Sequence, residues 1–154
     1  MTISQAAISV FMLCAVLTTA QGQEKRIKRS ELPPAVENAV ARQSHGAIVR
    51  GFSQEKENGQ TFYEAELMVD GHTKDVLMNA DGTVVEVEEQ VAIKHLSPSV
   101  LNGLQGKARN GKLVKVESLT KKDKLVAYEA EVLSNGKKSE VQVGPDGQPL
   151  DHEE

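Results

Sequence analysis

Residues 62–71 read FYEAELMVDG and residues 127–136 read AYEAEVLSNG, so the chain contains nearly the same stretch twice, 65 residues apart. The likeness continues on both sides. When residues 46–89 are aligned with residues 111–154, 14 of the 44 positions are identical. A repeat of this length predicts the same supersecondary unit in each copy, and we interpret it as a tandem duplication.

Each copy begins with the signal for a helix. Pro33-Pro34 and Ser97-Pro98 place a proline at the first helical position, where its missing N–H would have no partner in any case. Ser97 is also a typical N-cap residue. Apolar residues then recur at helical spacing in both copies, which predicts one helix at the start of each copy.

Alternating apolar and polar residues follow each predicted helix, separated by the Asp-Gly and Asn-Gly turns that are typical of hairpins. Tyr63 and Ala65 fall on one face of such a strand, and Glu64 and Glu66 fall on the other. We expect the tyrosine face to be buried under the helix, with Tyr128 in the same position of the second copy. The predicted strands are 47–55, 61–69, 73–79 and 83–88 in the first copy and 113–121, 125–133 and 137–143 in the second.

The predicted fold class is therefore α+β. We expect two tandem units, each a helix followed by a 3–4-stranded antiparallel β-meander, packed as helices on one face of an antiparallel sheet. The predicted segments are a signal peptide (1–20), an N-terminal linker (21–29), unit 1 (30–90), unit 2 (94–150) and an acidic tail (151–154).

The first twenty residues indicate export. They contain no charged side chain, and a short apolar run from Ile8 to Leu17 precedes small residues at 18 and 20. This pattern is typical of a secretory signal peptide and predicts a periplasmic or secreted protein with no stable membrane span after cleavage. The alternative is an N-terminal anchor that is not cleaved. Cys14 is the only cysteine, so a chain cleaved after Ala20 would contain no disulfide.

The helix that begins in LPPAV and the strands that carry YEAE and DG resemble the PepSY-like family, which is also grouped with the beta-lactamase-inhibitor-like fold. The resemblance implies an exported bacterial protein. Related modules occur in metallopeptidase propeptides, where an inhibitory or chaperone role is proposed, and beta-lactamase inhibitor proteins bind an enzyme with a concave sheet. No catalytic residue comes with the resemblance, and the repeated Tyr, Asp and Gly positions are expected to determine the fold.

The composition argues against several functions. The net charge is −4 and aromatic residues make up 3% of the chain, whereas nucleic-acid binders usually carry a basic patch. No two of the four histidines have the spacing of metal ligands, and the chain has no phosphate-binding glycine loop. We therefore predict no nucleic-acid partner, no metal, no cofactor and no enzymatic activity.

The strongest functional signal is the predicted outer face of the sheet, where carboxylates lie beside apolar side chains. Such a mixture is typical of a protein-binding face. One alternative is a merely solvated face, with Arg50 and Lys115 as cross-strand partners of the acids. Another is a face covered by the other unit or by the N-terminal segment. The candidate partner-binding residues are Phe62, Glu64, Glu66, Met68, Asp75, Leu77, Glu129, Glu131, Leu133 and Glu140.

Two functions follow from this reading. The first is an exported, non-enzymatic binding module that docks an extracytoplasmic protein, such as a peptidase, as an inhibitor or chaperone. The second is an extracytoplasmic carrier or sensor that binds cations or cationic peptides on the acidic face. In either case we expect Glu64, Glu66, Glu129 and Glu131 to point to solvent on one continuous antiparallel sheet shared by the two units, because their neighbour Tyr63 and its counterpart point inward.

Overall fold

The computed structural model of the protein describes residues 24–57, 59–152 and 154. Within these residues the chain forms eight β-strands, two α-helices and two short 3₁₀ turns. The helices and strands are, in chain order, β1 (Lys25–Ile27), α1 (Pro34–Gln43), β2 (Ile48–Glu57), β3 (Gln60–Val69), β4 (His72–Asn79), β5 (Val84–Gln90), α2 (Pro98–Ala108), β6 (Lys112–Lys121), β7 (Lys124–Ser134) and β8 (Lys137–Val143).

All eight strands belong to one sheet, in which each strand pairs antiparallel with the next along the chain. The prediction of two tandem helix-and-meander units is therefore wrong. β5 pairs directly with β6, from Glu86 opposite Lys121 to Gln90 opposite Glu117. Unpaired strand edges leave a row of N–H and C=O groups without partners, and β5 and β6 satisfy these groups for each other.

The segment expected to be a linker, 21–29, contributes the first strand of this sheet. Lys25, Arg26 and Ile27 of β1 pair with the middle of β2. The predicted signal peptide lies outside the described residues. The seven strands predicted from the alternating pattern are all present, with their ends shifted by no more than two residues.

Both helices pack on the same face of the sheet. The first buried cluster joins α1 to β2, β3 and β4 through Val36, Ala39, Val40, Phe52, Ala65, Leu67, Val76 and Met78. The second joins α2 to β6, β7 and β8 through Val100, Leu104, Val116, Ala130 and Val143. Tyr63 and Tyr128 lie at the margins of these clusters and are half-buried, so the expectation of full burial is wrong for both.

The repeated Asp-Gly turns hold the sheet against the starts of the helices. Gly82 and Gly147 have φ values of +79° and +81°, a left-handed conformation that costs other residues free energy. A Cβ on Gly82 would lie 2.4 Å from the carbonyl oxygen of Ala35, and a Cβ on Gly147 would lie 2.2 Å from that of Ser99. Two separate reasons therefore require glycine at each of these turns: the left-handed backbone conformation and the close approach to a helix.

The opposite side of the sheet carries no helix, and we call it the open face. Cross-strand register assigns side chains to it, because directly opposite residues share a face. One row of the open face runs Gly51, Glu66, Asp75, Glu88, Leu119 and Ala127, and a second runs Glu117, Glu129 and Gln142.

Candidate functional site

The open face brings together all ten residues that were singled out in the sequence. Glu64 lies opposite Leu77, Glu66 opposite Asp75, and Phe62 opposite Asn79. On β7 and β8, Glu129 lies opposite Gln142, Glu131 opposite Glu140, and Leu133 opposite Lys138. Met68 lies opposite Ile48 at the start of β2. Period-two alternation along β3 and β7 explains why they share one face.

The four glutamates lie on the face away from the helices, as expected, but they are only partly exposed to solvent. Glu64, Glu66, Glu129 and Glu131 are all half-buried, and each contacts a polar side chain of another strand. The Ser53 hydroxyl donates to Oε2 of Glu64 at 2.8 Å. Burial, reinforced by the neighbouring carboxylates, outweighs this hydrogen bond and raises the pKa of Glu64 to about 7.

A cluster of three carboxylates lies at the centre of the open face. Carboxylate oxygens of Asp75 on β4, Glu88 on β5 and Glu117 on β6 all lie within 4.8 Å of one another. Burial, followed by the charge of Glu117, raises the pKa of Asp75 to about 6. Burial and the surrounding carboxylates raise the pKa of Glu88 further still. We call these three residues the central triad.

A second group of acids lies toward β1. Carboxylate oxygens of Glu24, Glu55 and Glu64 also lie within 4.8 Å of one another. Burial and the charges of Glu24, Glu57 and Glu86 raise the pKa of Glu55. Both groups are chemically suited to hard cations such as Ca²⁺ or Mg²⁺, which prefer carboxylate oxygens.

Cationic side chains reach the acids from both ends of the sheet. Arg26 of β1 crosses β2 and contacts Oε1 of Glu66 at 2.7 Å. It can do so because position 51 is glycine, where a Cβ would lie 2.5 Å from the arginine Nη1. Arg26 thus takes the place that the sequence analysis assigned to Arg50.

On the other side of the central triad, three lysines pair with acids of the open face. Lys115 pairs with Glu117, Lys121 with Glu86 at 3.4 Å, and Lys138 with Glu131 at 2.9 Å. Lys115 was expected as a cross-strand partner of the acids; it lies opposite Glu131 on β7, and its ion pair with Glu117 is made within its own strand. These pairs offset only part of the negative charge of the face.

Apolar side chains are exposed at one end of the same face. Ile48 is 67% exposed and Leu133 is 39% exposed, and both lie on the open face by register. Half-buried Met68 lies beside Ile48. Carboxylates and exposed aliphatic groups therefore share a surface that neither helix covers.

Sequence reasoning missed several residues of the site. Glu86, Glu88 and Glu117 were not singled out, although the alternation of β5 already places Glu86 and Glu88 opposite in direction to Val85 and Val87. Their importance depends on the pairing of β5 with β6, which sets Glu88 and Glu117 beside Asp75. No local pattern predicts that pairing.

The fold, a single sheet with two helices on one face, is similar to that of solved BLIP-like and DUF2874 family proteins. A BLIP-like protein from Bacteroides fragilis has a TM-score of 0.58 at 21% identity, covering 77% of this chain and 83% of that chain. A DUF2874 family protein from Bacteroides ovatus has a TM-score of 0.60 at 21% identity, covering 77% and 84%.

A third solved structure, from Bacteroides eggerthii, has a TM-score of 0.64 at 16% identity and covers 77% of this chain and 86% of that chain. No family profile matches the sequence, and no curated protein matches it. At these identities the similarities show the fold, which agrees with the beta-lactamase-inhibitor-like part of the resemblance seen in the sequence.

The comparison also bears on location. The Bacteroides eggerthii protein is provisionally described as periplasmic, which agrees with the export predicted from the first twenty residues. Among the described residues, neither helix has the length and apolar character needed to cross a membrane.

Proposed function

We propose that this chain is an exported, non-enzymatic binding module of the periplasm or the extracellular space, and that it docks a protein partner through the open face. The observation that carries the proposal is the open face itself, where half-buried acids lie beside exposed Ile48 and Leu133 without a covering helix. Aliphatic groups surrounded by polar ones are typical of protein interfaces.

The resemblances suggest the kind of partner. BLIP-like proteins share the fold, and the repeated YEAE and DG motifs resemble PepSY-like proteins, whose relatives occur beside peptidases. We infer that the partner is an extracytoplasmic enzyme of the peptidase type, which the module inhibits or assists in folding. The repeat in the sequence is consistent with a PepSY-like duplication that evolved into a single sheet.

The test uses the mature chain as bait in an extracytoplasmic extract, followed by calorimetry with the captured protein once it is identified. Ile48→Glu and Leu133→Glu should each abolish capture while leaving the melting temperature nearly unchanged, because both side chains are exposed. Val114→Glu is the matched control. Val114 is similarly exposed, at 41%, but it is the extra residue of the β-bulge between Leu113 and Lys115 and is not placed on the open face by cross-strand register. Capture should therefore persist in this variant. Equal capture by all three variants would refute docking through the open face.

The central triad favours a second candidate function, the binding of cations or cationic peptides as a carrier or sensor. Three carboxylates within 4.8 Å of one another repel when ionised, and a bound cation would relieve that repulsion. Asp75, Glu88 and Glu117 would supply the oxygen ligands.

Calcium and magnesium titrations test this candidate. At mM concentrations, the cation should raise the melting temperature of the wild-type chain by binding the folded state, and Glu88→Gln should remove the effect. Glu89→Gln is the matched control, because Glu89 is the next residue on β5 and lies on the opposite face. A response that persists in Glu88→Gln would mean that the triad is not the cation site.

A further inference from the structure

Glu154, in the segment predicted to be an acidic tail (151–154), contacts the open face. The backbone N–H of Glu154 donates to Oε1 of Gln142 at 2.9 Å. The carboxylate of the same residue lies 3.6 Å from Nζ of Lys121. One residue of the chain is thus held by its main chain and by its side chain at two points of the face proposed above as a docking surface.

Gln142 is oriented for this contact by the sheet. Its side-chain Nε2 donates to Oε2 of Glu129 at 2.7 Å, which turns its amide oxygen toward the tail. Gln142 is only 7% exposed, so its amide is held in place by its surroundings. The result is a fixed acceptor for a peptide N–H on a face otherwise rich in carboxylates.

The two contacts define a path across three strands. Gln142 lies on β8 opposite Glu129, and Lys121 lies at the end of β6 next to the turn into β7. Along β6 and β7, the pair Ala127 and Leu119 lies between the level of Glu129 and that of Lys121. Ala127 and Leu119 lie on the open face, yet they are 0% and 2% exposed. They form a short apolar floor under this path.

We propose that Gln142, Lys121 and this floor form a recognition site for an acidic residue in an extended peptide segment. Glu154 occupies the site within the chain, and a partner segment would replace it there. The inference rests on the proposed binding function and adds to it the chemistry of the partner segment: a main-chain N–H for Gln142 and a side-chain carboxylate for Lys121.

The contact between Glu154 and Lys121 can be displaced by a partner. The Glu154 carboxylate meets Lys121, but Lys121 is shared with Glu86, and Glu129 lies beside the path. An acidic segment is therefore attracted at one point and repelled around it. A partner with the same pair of groups and additional apolar contacts would compete successfully.

The test is an NMR titration of the isotope-labelled mature chain, and it needs no partner protein. The probe is a synthetic, C-terminally amidated peptide PLDHEE, the sequence of residues 149–154, with PLDHEQ as its matched control. The first arm asks whether the tail occupies the site. Glu154→Gln should shift the signals of Gln142 and its neighbours on β7, whereas Asp151→Asn, the same change of charge at an exposed residue of the same tail, should leave them in place.

The second arm asks whether the site binds in trans. PLDHEE should bind the Glu154→Gln chain at least about twofold more tightly than the wild type, because a segment on a short linker competes at an effective concentration in the mM range. PLDHEQ should bind more weakly than PLDHEE. Adding Lys121→Gln to the Glu154→Gln chain should abolish binding, while adding Lys124→Gln, at the exposed cross-strand neighbour, should not.

Three outcomes of this arm would overturn the proposal. They are equal affinity of PLDHEE for the wild-type and Glu154→Gln chains, binding that persists after Lys121→Gln, and no response at several mM peptide. Signals of Gln142 that stay unchanged in Glu154→Gln would overturn it as well. If instead the peptide binds as expected but the Ile48 and Leu133 variants still capture a partner, the proposed docking through the open face fails and the peptide site stands.

Discussion

Replacing Glu64 by glutamine should stabilise the protein at alkaline pH and have little effect at acid pH. The folded state raises the pKa of Glu64 from 4.5 to about 7, mainly through burial. Between these values the folded chain keeps a proton that the unfolded chain has lost. Stability therefore falls as pH rises through this window, and the full cost is present above pH 7.

The magnitude follows from the size of the pKa shift. Raising the pKa of Glu64 from 4.5 to about 7 corresponds to about 3 kcal/mol, and partial solvent exposure of a half-buried side chain reduces this to about 2 kcal/mol. Glutamine carries no charge and keeps an oxygen for the Ser53 hydroxyl. For a chain of this length, 2 kcal/mol is roughly 4–8 °C in melting temperature.

The assay is urea and thermal unfolding of the wild type, Glu64→Gln and Glu66→Gln at pH 5 and pH 8. The difference between Glu64→Gln and wild type should grow by about 1.5 kcal/mol from pH 5 to pH 8, because about a quarter of the full cost is already present at pH 5. Glu66→Gln is the control: it lies two residues away on the same face, but it loses the ion pair with Arg26 and should gain nothing. The reasoning is refuted if the Glu64→Gln advantage is the same at both pH values, or if the variant is the less stable protein at pH 8.

Two further predictions concern the fold. Gly82→Ala and Gly147→Ala should each lower the free energy of unfolding in urea by more than about 2 kcal/mol, because the new Cβ would clash with a helix carbonyl and the backbone is left-handed. Gly136→Ala is the control: its φ is +75° but the space around it is open, so it should cost only about 1 kcal/mol. Equal losses at all three positions would refute the role of the close approach to the helix. Tyr63→Ala and Tyr128→Ala should each lower the free energy of unfolding by about 2 kcal/mol, less than the 3–5 kcal/mol of a buried aromatic, since both rings are half-buried. Leu67→Ala, at a fully buried position, is the comparison. A loss at either tyrosine as large as that of Leu67→Ala would show that the tyrosines contribute more to the stability of the core than their exposure indicates.

The local sequence predicts the elements of this protein and the faces of its strands. Proline and serine mark where both helices begin, Asp-Gly and Asn-Gly mark the turns, and the alternation around Tyr63 and Tyr128 assigns their glutamate neighbours to the open face. These features can be predicted because each depends on residues that are neighbours in the chain: backbone conformation, capping and period-two alternation are local.

The tertiary structure alone decided how the elements combine. β5 pairs with β6 because hydrogen-bonding groups at a strand edge require partners, and the chain offers no local signal for which edge they meet. That pairing makes one sheet and assembles Asp75, Glu88 and Glu117 from three strands into a cluster whose burial raises the pKa of two members. In the same way, Arg26 reaches Glu66 only because β1 joins the sheet beside Gly51, and Glu154 meets Lys121 of β6 only in the folded chain. Burial and charge at the site depend on contacts between residues far apart in sequence, so they follow from the completed sheet.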